Sequence, residues 1–135
     1  MSDDVSLNKA AIVKRCIQRI REEYALDPTL ENYTHVGALT LNIERACQAA
    51  IDLAMHIAAS QKLGVPQTSA EAFQLLAESS LVSRKTVREM ISMTGFRNIA
   101  VHAYQRLDMS ILRAVAETHY TSFIRFFAEL GLDVE

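Results

Sequence analysis

Glycine and proline are scarce, with four and two in 135 residues. So few turn formers leave little room for the short, closely spaced strands of a sandwich or barrel, and they point to helices. Long apolar runs are missing as well. No segment approaches the ~18 consecutive apolar residues of a membrane span. The acidic start Met1-Ser2-Asp3-Asp4 is not followed by the apolar stretch of a signal peptide. The two cysteines, Cys16 and Cys47, sit inside helical patterns at the spacing of small buried hydrophobes. Without a secretory signal, the expectation is reduced thiols in a cytoplasmic protein, with a disulfide between them open only on paper. Nor is there an excess of positive charge: the formal net charge is −2, which argues against a protein that coats nucleic acid electrostatically.

What is present is ordinary globular material, 50% hydrophobic and 22% charged, which excludes a disordered chain. The length suits one domain over residues 1–135. Charge is unevenly distributed. Residues 83–113 hold Arg84, Lys85, Arg88, Arg97, Arg106 and Arg113 against Glu89 and Asp108, whereas acids outnumber bases elsewhere. A basic region on an acidic body suits an enzyme that touches a few phosphates at one place. A solvated helix face fits that pattern nearly as well.

Five helical segments and no strand are expected. The first covers about residues 6–25, with Ala10, Val13, Ile17, Ile20 and Tyr24 at three- and four-residue steps, and Asp27-Pro28 stops it. The second covers about residues 34–61 on the stripe Leu39, Ile43, Ala46, Cys47, Ala50, Leu53, Ala54 and Ile57, closed by Gly64-Val65-Pro66. Thr68 and Glu71 have capping-box spacing at the start of a short third helix. Ser83 is placed to cap the fourth, with Val82 and Val87 as a hydrophobic staple, and Asp108 to cap the fifth, with Leu107 and Leu112 as its staple. That last helix continues through Val115, Thr118, Ser122, Phe126 and Leu130 to Gly131. Short connections between long amphipathic helices give an all-α, up-and-down bundle. Tyr120, Phe123, Phe126 and Phe127 offer more aromatic surface than one stripe needs, which either serves a dimer interface or completes the core.

The fourth helical region is expected to break at Thr94-Gly95 and resume as Phe96-Arg97-Asn98-Ile99-Ala100-Val101-His102-Ala103-Tyr104. On a helical wheel Ile99, Ala100 and Ala103 share one side, assigned to the core. Arg97, Asn98, Val101, His102 and Tyr104 share the other, across about 160°. That set suits RNA cleavage without a metal. His102 has the chemistry to activate a ribose 2′-hydroxyl or protonate the leaving oxygen. Arg97 has the planar charge to hold the scissile phosphate. Asn98, one turn before His102, is placed to orient the imidazole or bond a phosphate oxygen, and Tyr104 presents a modifiable hydroxyl. Spacing alone does not carry this assignment, because an arginine followed five residues later by a histidine is common.

The string Phe96-Arg97-Asn98 followed by Val101-His102-Ala103-Tyr104 resembles the HEPN pattern of Arg, a polar residue, three further residues, His, any residue and Tyr. It lies after Gly95-Phe96 and before the last long helix, where HepT-like proteins place it, and the resemblance covers essentially the whole chain. The resemblance implies a HEPN-type homodimer with the Arg97 and His102 motifs of both subunits in one cleft. It also implies metal-independent endoribonuclease activity that leaves 2′,3′-cyclic phosphate ends, and no cofactor. It implies the toxin half of a toxin–antitoxin pair, with RNA as substrate and an MNT-type nucleotidyltransferase as antitoxin. Tyr104 is the residue that this antitoxin would modify with AMP, a bulky anionic group expected to block the cleft and occupy Arg97. No membrane or DNA partner is implied.

Two other classes are weighed beside it. One is a non-catalytic helical partner that helps a nucleotidyltransferase bind substrate. The other is a metal-binding bundle built on Asp52 and His56, part of the ladder Glu44, Gln48, Asp52 and His56. Divalent sites in bundles draw more carboxylates from facing helices, and no Glu-x-x-His occurs here. His35 is expected at the surface or as a cap, and His119 as a packed or interface residue.

Overall fold

The computed structural model describes the backbone of residues 2–102 and 108–135, and the side chains of residues 2–95 and 108–135. Among them every regular element is helical: α1 (Asp4–Leu26), α2 (Tyr33–Ser60), α3 (Ser69–Glu78), α4 (Arg84–His102), α5 (Met109–Ala114), a π-helical turn (Val115–His119) and α6 (Thr121–Glu129). The expected bundle is therefore the observed one. Its last helix is divided in two.

The helix ends follow local chemistry. Asp3 starts α1 by accepting the Ser6 N–H, and Asn32 starts α2 by accepting from Thr34 and His35. The backbone N–H and then the hydroxyl of Ser6 hold the Asp3 carboxyl down to about 2. Between the first two helices the buried Asp27 carboxylate accepts the N–H groups of Glu31 and Asn32, at 3.2 and 2.9 Å. Thr68 caps α3 as expected, at 3.1 Å from the Glu71 N–H. The return bond is offset by one residue, because Glu71 takes the N–H of Gln67 at 2.6 Å instead of that of Thr68. Gly131, at φ +80°, turns the chain after α6, and the Leu132 N–H reaches back to the Phe127 carbonyl at 2.8 Å.

The core sits between the α1–α2 pair and the remaining helices. Val13, Ile17 and Ile20 are buried with Leu39, Ile43, Leu53 and Ile57. Ala46, Ala50, Ala54 and Ala58 are all fully buried on α2, where small side chains let neighbouring helices approach closely. Neither cysteine is in a disulfide, and both are buried. Burial pushes the Cys16 thiol up, against the pull of Arg45 and Arg15. No helix of the described residues is long and apolar enough to cross a membrane.

The last helical segment departs from a regular stripe. The Tyr120 N–H bonds to the Val115 carbonyl, five residues back, at 3.0 Å. Thr118, placed on the buried stripe by sequence spacing, is exposed, and so is His119. Phe123, Phe126 and Phe127 are fully buried, with Phe126 edge-on to Phe73 at 5.4 Å and to Phe127 at 5.5 Å. These three rings complete the core of the chain. Tyr120 lies beneath the Arg21 guanidinium, 5.1 Å from its ring centre.

Candidate active site

Arg97, Asn98 and His102 lie on the last two turns of α4, whose backbone is helical from Arg84 to His102. Their side chains, and Tyr104 altogether, lie outside the described residues. The expected break at Thr94-Gly95 does not occur, since the helix runs straight through it. Glycine costs a helix only about 1 kcal/mol relative to alanine. Met90 and Met93, both buried, hold the adjoining turns against the core and outweigh that cost. Gly95 is exposed, and a Cβ added there would meet nothing within 4 Å. Gly95→Ala is therefore expected to stabilise the protein by about 0.5–1 kcal/mol. A rise in the urea midpoint at constant slope is the readout, and a fall would mean the position needs glycine for another reason.

The Ser83 cap of α4 was legible in the sequence, but the ties from α4 to α6 and α2 were not. Ser83 caps the helix through the Thr86 N–H at 3.2 Å. The Ser83 N–H in turn donates to Glu129 of α6 at 2.8 Å, and the Thr86 hydroxyl donates to the same carboxylate. One turn on, Glu89 accepts from Ser122 at 2.9 Å and pairs with Arg125. Burial pushes both carboxyls up, but bonds from Arg125 and Ser122 to Glu89, and from Thr86 and Ser83 to Glu129, outweigh it and hold both below the usual glutamate range. On the opposite flank the Cys47 thiol of α2 donates to the Met93 carbonyl at 3.4 Å. The helix that carries the motif is thus tied to α6 at its start and to α2 near its middle.

The helical-wheel assignment of Ile99, Ala100 and Ala103 to the core, and of Arg97, Asn98, Val101, His102 and Tyr104 to the opposite face, lies outside the described side chains. Thr86, Val87, Met90 and Met93 form the buried line of α4.

The remaining candidates are engaged in ordinary contacts. Asp52 accepts from Gln48 at 2.8 Å and pairs with Lys9 at 3.5 Å, while His56 pairs with Asp3 at 2.9 Å. Their i, i+4 spacing is used by two different partners on α1 and its cap, and among the described residues no three His, Cys, Asp or Glu side chains gather as a metal set. His35 is half-buried against Glu23.

An all-helical bundle whose fourth helix ends in Arg-Asn-x-x-x-His defines a domain of the HEPN class. The chain belongs to the ribonuclease HepT-like family, whose profile matches residues 13–130. It is 39% identical over 125 residues to the mRNA nuclease HepT of Shewanella oneidensis, covering 92% of this chain and 94% of that one. A tRNA nuclease HepT of Aphanizomenon flos-aquae is 29% identical over 87 residues, 64% of this chain and 59% of its own. Among solved structures, the tri-AMPylated HEPN toxin of Shewanella oneidensis in complex with MNT antitoxin superposes with a TM-score of 0.90 at 38% identity. That match covers 96% of this chain and 98% of the toxin.

Proposed function

We propose that this chain is the toxin of a toxin–antitoxin pair, an endoribonuclease that cuts RNA in the cytoplasm without a divalent metal. In this reading Arg97 holds and neutralises the scissile phosphate, and His102 transfers the proton of the 2′-hydroxyl or of the leaving oxygen. Asn98, one turn before His102, orients the imidazole. The observation that carries the reading is the match to the ribonuclease HepT-like family over residues 13–130, with Arg97, Asn98 and His102 on the last two turns of α4. A second copy of the chain would bring its own Arg97 and His102 to a shared cleft. The protein would act as a homodimer. Cleavage of RNA by purified protein in EDTA, with cyclic phosphate ends on the products, is the test, and an intact substrate would sink it.

Control is assigned to Tyr104. The cognate partner is an MNT-type nucleotidyltransferase that moves AMP from ATP to the Tyr104 hydroxyl, releasing pyrophosphate. The phosphodiester so formed places negative charge beside Arg97 and bulk across the cleft. Incubation with that enzyme and ATP is expected to add whole AMP units to the wild type by intact-mass measurement and none to Tyr104→Phe. An unmodified wild type would remove the control mechanism and leave the nuclease reading standing.

A further inference from the structure

Between α3 and α4 lies an open groove of about 500 Å³ lined by Gln74, Ala77, Glu78, Arg84, Val87, Arg88 and Ile91. Its size falls within the roughly 300–1,000 Å³ range of small-ligand sites. Its floor is apolar, formed by Ala77, Val87 and Ile91, and its rim is polar. Arg84 and Arg88 stand one turn apart on α4 and both are exposed. Five other cations of the described surface are engaged: Lys9 with Asp52, Arg19 with Glu22, Arg21 with Glu135, Arg125 with Glu89, and Arg113 with the Pro28 carbonyl. Lys14, Arg15, Arg45 and Lys62 are exposed but line no groove with a second cation one turn away. Arg84 and Arg88 make no side-chain hydrogen bond or ion pair among the described residues, and Lys85 lies between them. One carboxylate, Glu78, opposes the two guanidinium groups in the groove.

These arginines share a helix with the motif. From Arg88 to His102 is about 20 Å along the axis, a distance that a single strand a few nucleotides long spans. The open line of Arg84, Arg88, Ser92 and Gly95 carries no acid and runs from the groove toward the motif. Unpaired cations along a groove track the phosphates of a single strand, and with no aromatic ring in the lining for a base to stack on, the contact is to the backbone. We propose that the α3–α4 groove is a second RNA contact, in which Arg84 and Arg88 bind backbone phosphates of the substrate a few nucleotides from the cut. Gln74 and Glu78 are placed to accept from base or ribose donors there. The inference rests on the nuclease reading for the identity of the substrate. It explains how a protein of net negative charge retains RNA long enough to cut it, and it makes the length of the RNA a determinant of affinity.

The test measures binding apart from cleavage. A 2′-O-methylated single-stranded RNA carries no free 2′-hydroxyl and cannot be cut by this chemistry, so its fluorescence anisotropy reports affinity alone. Arg84→Gln/Arg88→Gln is expected to weaken binding about tenfold or more. The plot of log affinity against log salt should flatten by about 1.4, the value for two phosphate contacts on a single strand. Arg84→Lys/Arg88→Lys should keep most of the slope, and Lys14→Gln, an exposed cation on α1, should keep all of it. Affinity and slope equal to wild type in the glutamine double variant would overturn the proposal, even if wild type cleaves RNA normally. A lost slope in a protein that cuts no RNA would support the groove while removing the nuclease reading. Unchanged RNA binding together with lost binding of the nucleotidyltransferase would assign the groove to a protein partner and overturn it as well.

Discussion

In EDTA, His102→Ala is expected to lower the rate of RNA cleavage by about 10²–10⁴-fold, the usual contribution of a positioned general acid or base. Arg97→Ala is expected to lower it by about 10²–10³-fold, the usual effect of removing a group that stabilises charge developing on the reacting centre. The two losses should separate in their pH dependence. A proton-transferring imidazole puts a bend in the wild-type pH profile, and the residual rate of His102→Ala should lose that bend. Arg97→Ala should retain the bend at a lower rate. Arg97→Lys keeps the charge but not the planar fork, and recovery should be partial. Circular dichroism must show the helical content of wild type in each variant. Equal cutting by wild type and both variants would mean that the motif is not the active site.

Phe126→Ala should produce the largest loss of stability. The ring is fully buried and packs edge-on against both Phe73 and Phe127. Removing such a side chain costs about 3–5 kcal/mol, through lost transfer energy and the cavity left behind. The whole domain is held by roughly 5–15 kcal/mol, so the variant should unfold at much lower urea or fail to accumulate. The effect should reach the site before global unfolding. Phe126 lies on α6 three residues before Glu129, which anchors Ser83 and Thr86 at the start of α4. Hydrogen exchange should show the amides of α4 opening more readily in this variant, and a loss confined to α6 would argue against the tie between the helices. Phe126→Leu retains most of the volume and should recover part of the stability.

The class of protein was legible locally because helices are decided by near neighbours. Thr68, Ser83 and Asp108 cap as their spacing implied, and the stripe from Leu39 to Ile57 is buried along its length. The motif was legible for a different reason: its residue types match a family pattern that includes their order. Chemistry that depends on distant partners was not. Asp52 and His56 share a ladder in sequence, yet one pairs with Lys9 and the other with Asp3. Nothing in the spacing of Ser83 and Glu129, or of Glu89, Ser122 and Arg125, hinted that they would meet.

By itself, then, the sequence determined the helical class, most helix ends, the apolar stripes and the candidates Arg97, Asn98, His102 and Tyr104. These depend on φ/ψ preference, capping and periodicity within a few residues. Tertiary structure decided that α4 passes unbroken through Gly95, because Met90 and Met93 bury the turns beside it. It also decided that Thr118 leaves the buried stripe at a π-turn and that three phenylalanines close the chain's own core. Each of these turns on which surface meets which across the bundle. That choice is made by the fit of whole helices to one another, and no short window of residues contains it.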